Sequence, residues 1–262
     1  MNELQWAKSY ARPRMNFHRS MEHPETPDDY ICLLQRYLKL APYLAMTFAG
    51  SERVKTISHP DLHLDNIFVN PETRRISCLI DWQSTAISPI VLQRTFPQFL
   101  EPLGDSSPTT ESPLTYYQQL VRERDPVRWA TINERNHSVK TKPICLVPSC
   151  WDREDLFSFR NSLVSVIAHW EDMAPDARPC PIMFTDEELL LHQTEMELIE
   201  GLSSIMHQLQ DEAMIPLGGM VRPEDFQRLK ELNSRFKKSF VHLGENDRQR
   251  ALHASIWPYQ NT

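Results

Sequence analysis

The stretch "TISHPDLHLDNIFVNPETRRISCLIDWQ", residues 56–83, constrains this chain more than any other part of its sequence. It places histidines, acids and two asparagines among residues that favour β-strands. Its two apolar runs, "NIFVN" and "RISCLID", are separated by the turn residues Pro71, Glu72 and Thr73. The stretch therefore predicts a β-hairpin over residues 67–81, with a polar loop directly before it.

Helix signals dominate the rest of the chain. Four sites combine a capping hydroxyl or a first-turn proline with acidic or apolar residues of the first turn. They are Thr26-Pro27-Asp28-Asp29, Ser112-Pro113, Thr185-Asp186-Glu187-Glu188 and Arg222-Pro223-Glu224-Asp225. The stretch around Pro143 and Pro148 instead predicts a loop. We predict a mainly α fold with one small β-hairpin, organised as a single unit over residues 1–262.

Charge and cysteine content limit the classes of function. The net charge is -7 and the pI is about 5.8, so nucleic-acid binding through a positive surface is disfavoured. The five cysteines form no C-x-x-C pair, which favours reduced, intracellular thiols. No apolar run approaches the roughly 20 residues of a membrane span. We expect a soluble intracellular protein, with four basic residues near the start leaving a mitochondrial or a cytoplasmic location open.

The spacing of the polar residues in the loop is typical of phosphoryl transfer. Asp61 and Asn66 are five positions apart, the interval of the D-x-x-x-x-N loop in which the acid accepts a hydroxyl proton and the amide holds magnesium. Asp81 follows the second predicted strand, where its carboxylate can reach the same ion. Magnesium prefers such oxygen ligands and keeps several waters, so a larger protein cage is not needed. His59, two residues before the acid, is predicted to have a structural role.

"HPDLHLDNIFV" followed by "ISCLIDWQ" resembles the H-G-D-x-H-x-x-N and I-D-W/F signatures of the aminoglycoside phosphotransferase and choline kinase-like superfamily. Within it, the chain is similar to fungal phosphotransferase-family proteins of the altered inheritance of mitochondria type. The resemblance is strong over residues 59–83 and fades after about residue 105. It implies a protein-kinase-like fold, with Mg²⁺ and ATP as cofactors and the hydroxyl of a small molecule as acceptor.

Carried over residue by residue, the resemblance makes Asp61 the catalytic base. It makes Asn66 and Asp81 the magnesium and nucleotide ligands, and His63 a histidine that stabilises the loop. One departure is Pro60, which stands where relatives have glycine. Acceptor-binding residues are expected after residue 105, where the resemblance no longer guides their assignment.

The segment before His59 departs further from a complete kinase. It contains one glycine, Gly50, and shows no strand lysine of the V-A-I-K type that would bind phosphates. We therefore expect a helical C-terminal lobe without a recognisable N-terminal lobe, and impaired activity unless that lobe lies upstream or is supplied in trans. A non-catalytic pseudokinase or scaffold fragment is the alternative.

A second alternative is a metal-dependent hydrolase. His59, Asp61 and His63 are residue types that bind zinc or iron. Against it, Pro60 and the strand pattern that follows predict a loop, and a two-histidine motif of this kind usually binds its metal from a helix.

Overall fold

In this computed structural model, helices begin where the sequence supplies capping groups. Helix α1, Pro27–Met46, follows Thr26. The Thr26 hydroxyl donates to the Asp29 carboxylate at 2.8 Å and accepts the Asp29 N–H at 3.3 Å. Before helix α2, Pro113–Arg124, the Ser112 hydroxyl accepts the Thr115 N–H at 3.1 Å. These contacts satisfy N–H groups that the first helical turn leaves unpaired. Both predicted helix starts are confirmed.

The other helices follow in chain order, and the structure describes only part of the chain. The helices are α3 (Pro126–Ile132), α4 (His137–Cys150), α5 (Leu156–Ala168), α6 (Trp170–Met173), α7 (Asp186–Ala213), α8 (Phe226–His242) and α9 (Asp247–Ile256). The residues described are 26–46, 54–59, 61–83, 85–100, 112–150, 156–174, 179–213 and 223–257. The basic residues near the start, Pro60 and Gly50 lie outside these ranges. The mainly helical fold class is confirmed.

The prediction of a loop around Pro143 and Pro148 is wrong, because both prolines lie inside helix α4. Pro143 is fully buried, and Val147, four positions later in the helix, is also buried. The Thr141 hydroxyl donates to the carbonyl oxygen of His137 at 2.9 Å, which adds a polar contact within the same turn. Burial of this helix stabilises it enough to offset the low helix propensity of proline.

Two small antiparallel sheets surround the polar loop. The first pairs β2 (Ile67–Val69) with β3 (Ile76–Leu79) and confirms the predicted hairpin. The second pairs β1 (Lys55–Ser58) with β4 (Ala86–Pro89), with Ile57 opposite Ile87. No strand signal in the sequence predicted this second sheet, whose strands come before the loop and after the hairpin in the chain.

The chain divides into two compact units. One comprises Met1–Tyr37, Ser149–Val164 and Ile182–Thr262, and contains an apolar cluster of Leu209, Phe236, Phe240 and Trp257. The other comprises Leu38–Pro148 and Ser165–Pro181, and contains both sheets and the polar loop. The prediction of one lobe over residues 1–262 stays a prediction. Across the described ranges, no helix has both the length and the apolar character to cross a membrane.

Candidate functional site

Asn66 is the buried centre of the polar loop. A short 3₁₀ helix, Leu64–Asn66, turns it inward, and only 5% of the residue is exposed. Its Nδ2 donates to the carbonyl oxygen of Asp61 at 3.0 Å. Because that carbonyl can only accept, the amide nitrogen must face it, and this fixes the orientation of the side chain. The Oδ1 atom makes no hydrogen bond within the described residues, so an acceptor oxygen is left for another ligand.

His63 supports this amide from the other side. Its Nε2 lies 3.0 Å from Asn66 Nδ2 and accepts the second amide hydrogen. The ring proton is then on Nδ1, which lies 3.5 Å from an Asp65 carboxylate oxygen. Asp61 Oδ2 lies 3.7 Å from His63 Nε2. The contacts with Asn66 and Asp65 join His63 to its own loop, and the loop-stabilising role stays a prediction.

Backbone contacts join the loop to the end of strand β3. The Ile80 N–H donates to the carbonyl oxygen of Asn66 at 3.1 Å, next to the Ile67–Leu79 pair of the hairpin. His59 Nε2 lies 2.8 Å from the carbonyl oxygen of Ile80 and donates to it. Both backbone groups of Ile80 are thus bound by residues at the two ends of the loop.

Asp81 follows this doubly bound residue and has a left-handed backbone, with φ of 62°. Aspartate tolerates this region better than most residues, although it still costs about 1–3 kcal/mol when the surroundings enforce it. Trp82 is also held, since its Nε1 donates to the carbonyl oxygen of Leu79 at 2.9 Å. The backbone of Asp81 is therefore fixed by the residues on both sides of it.

The acidic side chains remain in contact with solvent. The carboxylates of Asp61 and Asp65 are 64% and 71% exposed, and Asp81 is exposed as well. Exposed carboxylates and a free amide oxygen fit the oxygen ligands that magnesium prefers. Within the described ranges, no three His, Cys, Asp or Glu residues converge to hold a metal. That finding, and the use of His59 Nε2 by Ile80, count against the hydrolase alternative.

A cleft of about 310 Å³ runs beside the loop. His59 and Leu62, which lie on either side of Asp61 in sequence, form part of its wall. Arg94, Tyr117 and Arg128 form another part. Sequence reasoning missed these three residues, because they come from the segment after β4 and from helices α2 and α3, and no motif marks them.

Gln93 connects this cleft to the sheet of β1 and β4. Its Nε2 donates to the backbone oxygens of Thr56 and Ser88, at 2.9 and 3.0 Å. Its Oε1 accepts from the Nη2 of Arg128 at 2.9 Å. Gln93 is 9% exposed, so one buried amide ties both strands to the arginine of the cleft.

Comparison with known proteins places the polar loop inside a match to a protein family. Residues 2–92 match the model of the phosphotransferase enzyme family, a range that contains Asp61, Asn66 and Asp81. This match confirms the resemblance predicted from the sequence. The family implies a protein-kinase-like fold, and the mainly helical architecture with two small antiparallel sheets agrees with it. No solved structure gives a significant match.

Two curated relatives are described as subtelomeric hrmA-associated cluster proteins and come from two strains of Aspergillus fumigatus. Each is 24% identical to this chain over an alignment that is 278 residues long. The alignment covers 95% of this chain and 53% of the relative. The chain therefore spans about half the length of the curated relatives it matches.

Proposed function

We propose that this chain carries the catalytic loop and the magnesium ligands of a phosphotransferase, which transfers the γ-phosphate of ATP to the hydroxyl of a small molecule. The observation that supports it best is the double attachment of Ile80 to Asn66 and His59. That attachment brings the backbone before Asp81 against the loop that carries Asp61. Phosphoryl transfer depends on such fixed positioning more than on covalent chemistry by the protein.

Each residue has a defined task in this proposal. The acceptor oxygen attacks the γ-phosphorus while the bond to the bridging oxygen breaks, and ADP leaves with that electron pair. The hydroxyl proton passes to the Asp61 carboxylate, which is exposed and lies 3.7 Å from His63 Nε2. Asn66 and Asp81 are the residues that would hold magnesium, which would neutralise phosphate charge when bound.

Phosphoryl transfer also needs groups that bind the triphosphate of ATP. The residues before His59 contain one glycine, so they do not supply the glycine-rich loop that covers nucleotide phosphates in kinases. We propose that the 262-residue chain binds Mg-ATP weakly. Full activity then requires phosphate-binding groups supplied by another segment or chain.

Calorimetry with ATP, with and without Mg²⁺, tests this function. The chain is expected to bind Mg-ATP weakly, and Asp81→Asn to weaken that binding by about tenfold or more, because one charged ligand is lost. Asp247→Asn is the matched control, since its carboxylate is 99% exposed in helix α9 and belongs to the other unit. Binding that is independent of Mg²⁺, or unchanged in Asp81→Asn, would contradict the assignment.

Two further outcomes have a clear meaning. Tight binding with ATP hydrolysis above background would show that the chain supplies its own phosphate clamp and is not impaired. No Mg²⁺-dependent binding even at millimolar nucleotide would favour the non-catalytic scaffold alternative.

A further inference from the structure

The cleft beside the loop has an uneven distribution of charge. Its only ionic lining residues are Arg94 and Arg128, and no carboxylate lines it within the described residues. Guanidinium groups stay charged at every physiological pH. His59 and Leu62 lie on either side of Asp61 in sequence, so the cleft passes near the proposed base, and its lining also carries positive charge.

Arg128 is held in place without using all of its donors. Its side chain is 19% exposed, and its Nε lies 3.4 Å from a carboxylate oxygen of Asp125. One Nη2 hydrogen goes to Gln93. Within the described residues, the Nη1 group makes no hydrogen bond. A fixed guanidinium with unused donors is suited to binding an oxyanion, because little side-chain entropy remains to be lost.

Tyr117 adds a neutral donor to the same wall. Burial raises the pKa of Tyr117, and the nearby Arg128 lowers it by a smaller amount. The phenol therefore keeps its proton at neutral pH and can donate to an anionic ligand. The carboxylate of Asp125, which lies 3.4 Å from Arg128 Nε, does not line the cleft.

We propose that this cleft is the acceptor site, and that the acceptor is a small hydroxylated molecule which also carries an oxyanion group, either a carboxylate or a phosphate. The proposal rests on the proposed phosphotransferase function. The oxyanion binds Arg94, Arg128 and the Tyr117 hydroxyl, and the reacting hydroxyl lies toward Asp61. A volume of about 310 Å³ accommodates a small ligand, at the lower end of the range for ligand pockets.

Binding of simple probes, measured without nucleotide by ligand-observed NMR titration, tests the proposal. Glycerate and glycerol phosphate carry the two candidate oxyanions, glycerol carries none, and choline carries a positive charge. At least one of the two anions is expected to bind about tenfold more tightly than glycerol or choline. The stronger of the two identifies the oxyanion as carboxylate or phosphate.

Substitutions assign that binding to the cleft. Arg94→Gln is expected to weaken binding of the preferred anion by about tenfold. Arg128→Lys keeps the charge but loses the planar fork, and it is expected to weaken binding about as much. Arg124→Gln is the control, because Arg124 is exposed at the end of helix α2 and does not line the cleft. Thermal unfolding confirms that each variant is folded.

The outcomes separate this proposal from the proposed function. Equal binding of glycerol and both anions, tighter binding of choline, or no saturable binding of either anion would overturn it. So would anion binding that neither Arg94→Gln nor Arg128→Lys weakens. These results do not depend on Mg-ATP, whereas failure of the phosphotransferase assignment appears as Mg²⁺-independent or Asp81-independent nucleotide binding.

Discussion

His59 Nε2 lies 2.8 Å from the backbone carbonyl oxygen of Ile80, and this contact joins the start of the polar loop to the residue before Asp81. The imidazole also meets the Trp82 ring edge to face, with ring centroids 4.8 Å apart. Its other ring nitrogen, Nδ1, is buried and has no hydrogen-bond partner within the described residues. The histidine therefore fixes backbone position through one donor and one ring contact.

Replacing His59 by phenylalanine keeps the ring contact and removes the donor. His59→Phe is expected to lower the free energy of unfolding by about 0.5–1.5 kcal/mol, the net value of one hydrogen bond. Urea unfolding measures this difference. His207→Phe is the control, because His207 is exposed on helix α7 and a surface change there should stay within about 0.5 kcal/mol. Equal effects in both variants would show that the bond to Ile80 contributes nothing specific.

Gln93 provides a second test of a buried polar connection. Gln93→Ala leaves strand oxygens of β1 and β4 and one Arg128 donor without their partner. The expected loss of unfolding free energy is about 1–3 kcal/mol. Gln119→Ala is the matched control, since Gln119 is exposed and, among the described residues, its amide bonds to Glu123 alone, at 3.0 Å. A loss in Gln93→Ala no larger than in the control would contradict the structural role of this amide.

The buried ion pair of Arg160 and Glu195 should behave unlike the surface pairs. Their side chains are 3% and 7% exposed. Arg160→Leu removes the cation that faces the buried Glu195 carboxylate and is expected to cost about 3–5 kcal/mol. The double variant with Glu195→Leu should recover much of that loss, because no uncompensated charge remains buried. Denaturant unfolding of the two single variants and the double variant measures the coupling, and additive losses would contradict it.

His137 should make stability depend on pH. It is 8% exposed, and burial lowers its pKa, while Glu134 opposes the shift and Lys140 adds to it. In the unfolded chain its pKa is about 6.5, so on acidification the unfolded state takes up a proton more readily than the folded state. The stability that neutral His137 contributes is present above that pH and is lost as the pH falls below it.

Urea unfolding between about pH 7.5 and pH 5 tests whether the free energy of unfolding falls on acidification. His137→Gln is expected to reduce the loss of stability on acidification. His207→Gln is the control and should keep the full loss, because His207 is exposed. An unchanged pH profile in His137→Gln would show that another group carries the dependence.

Several elements follow from the sequence because the interactions that produce them are local. Two capping contacts join residues three positions apart, Thr26 with Asp29 and Thr185 with Glu188. Such a contact involves neighbouring residues alone, so the local sequence indicates it. The hairpin was predictable for the same reason. Asn70 Oδ1 accepts the N–H groups of Glu72 and Thr73, at 2.9 Å each, and so closes the turn between β2 and β3.

The loop residues were also recognisable, since Asp61, His63 and Asn66 lie within six positions and their spacing is a local property of the chain. Their family resemblance could be stated without a structure for that reason. The orientation of the Asn66 amide, which leaves Oδ1 without a hydrogen bond among the described residues, could not be predicted. It depends on which atoms of Asp61 and His63 face the side chain.

Tertiary structure decided the rest. The pairing of β1 with β4 brings together residues about thirty positions apart, such as Ile57 and Ile87. No turn sequence next to either strand indicates which strand it pairs with. Helix α4 exists despite Pro143 and Pro148 because burial outweighs their local preference. The cleft assembles Arg94, Tyr117 and Arg128 from three separate segments. Such contacts depend on how distant parts of the chain pack, and the free energy of packing is not encoded in the spacing of any one motif.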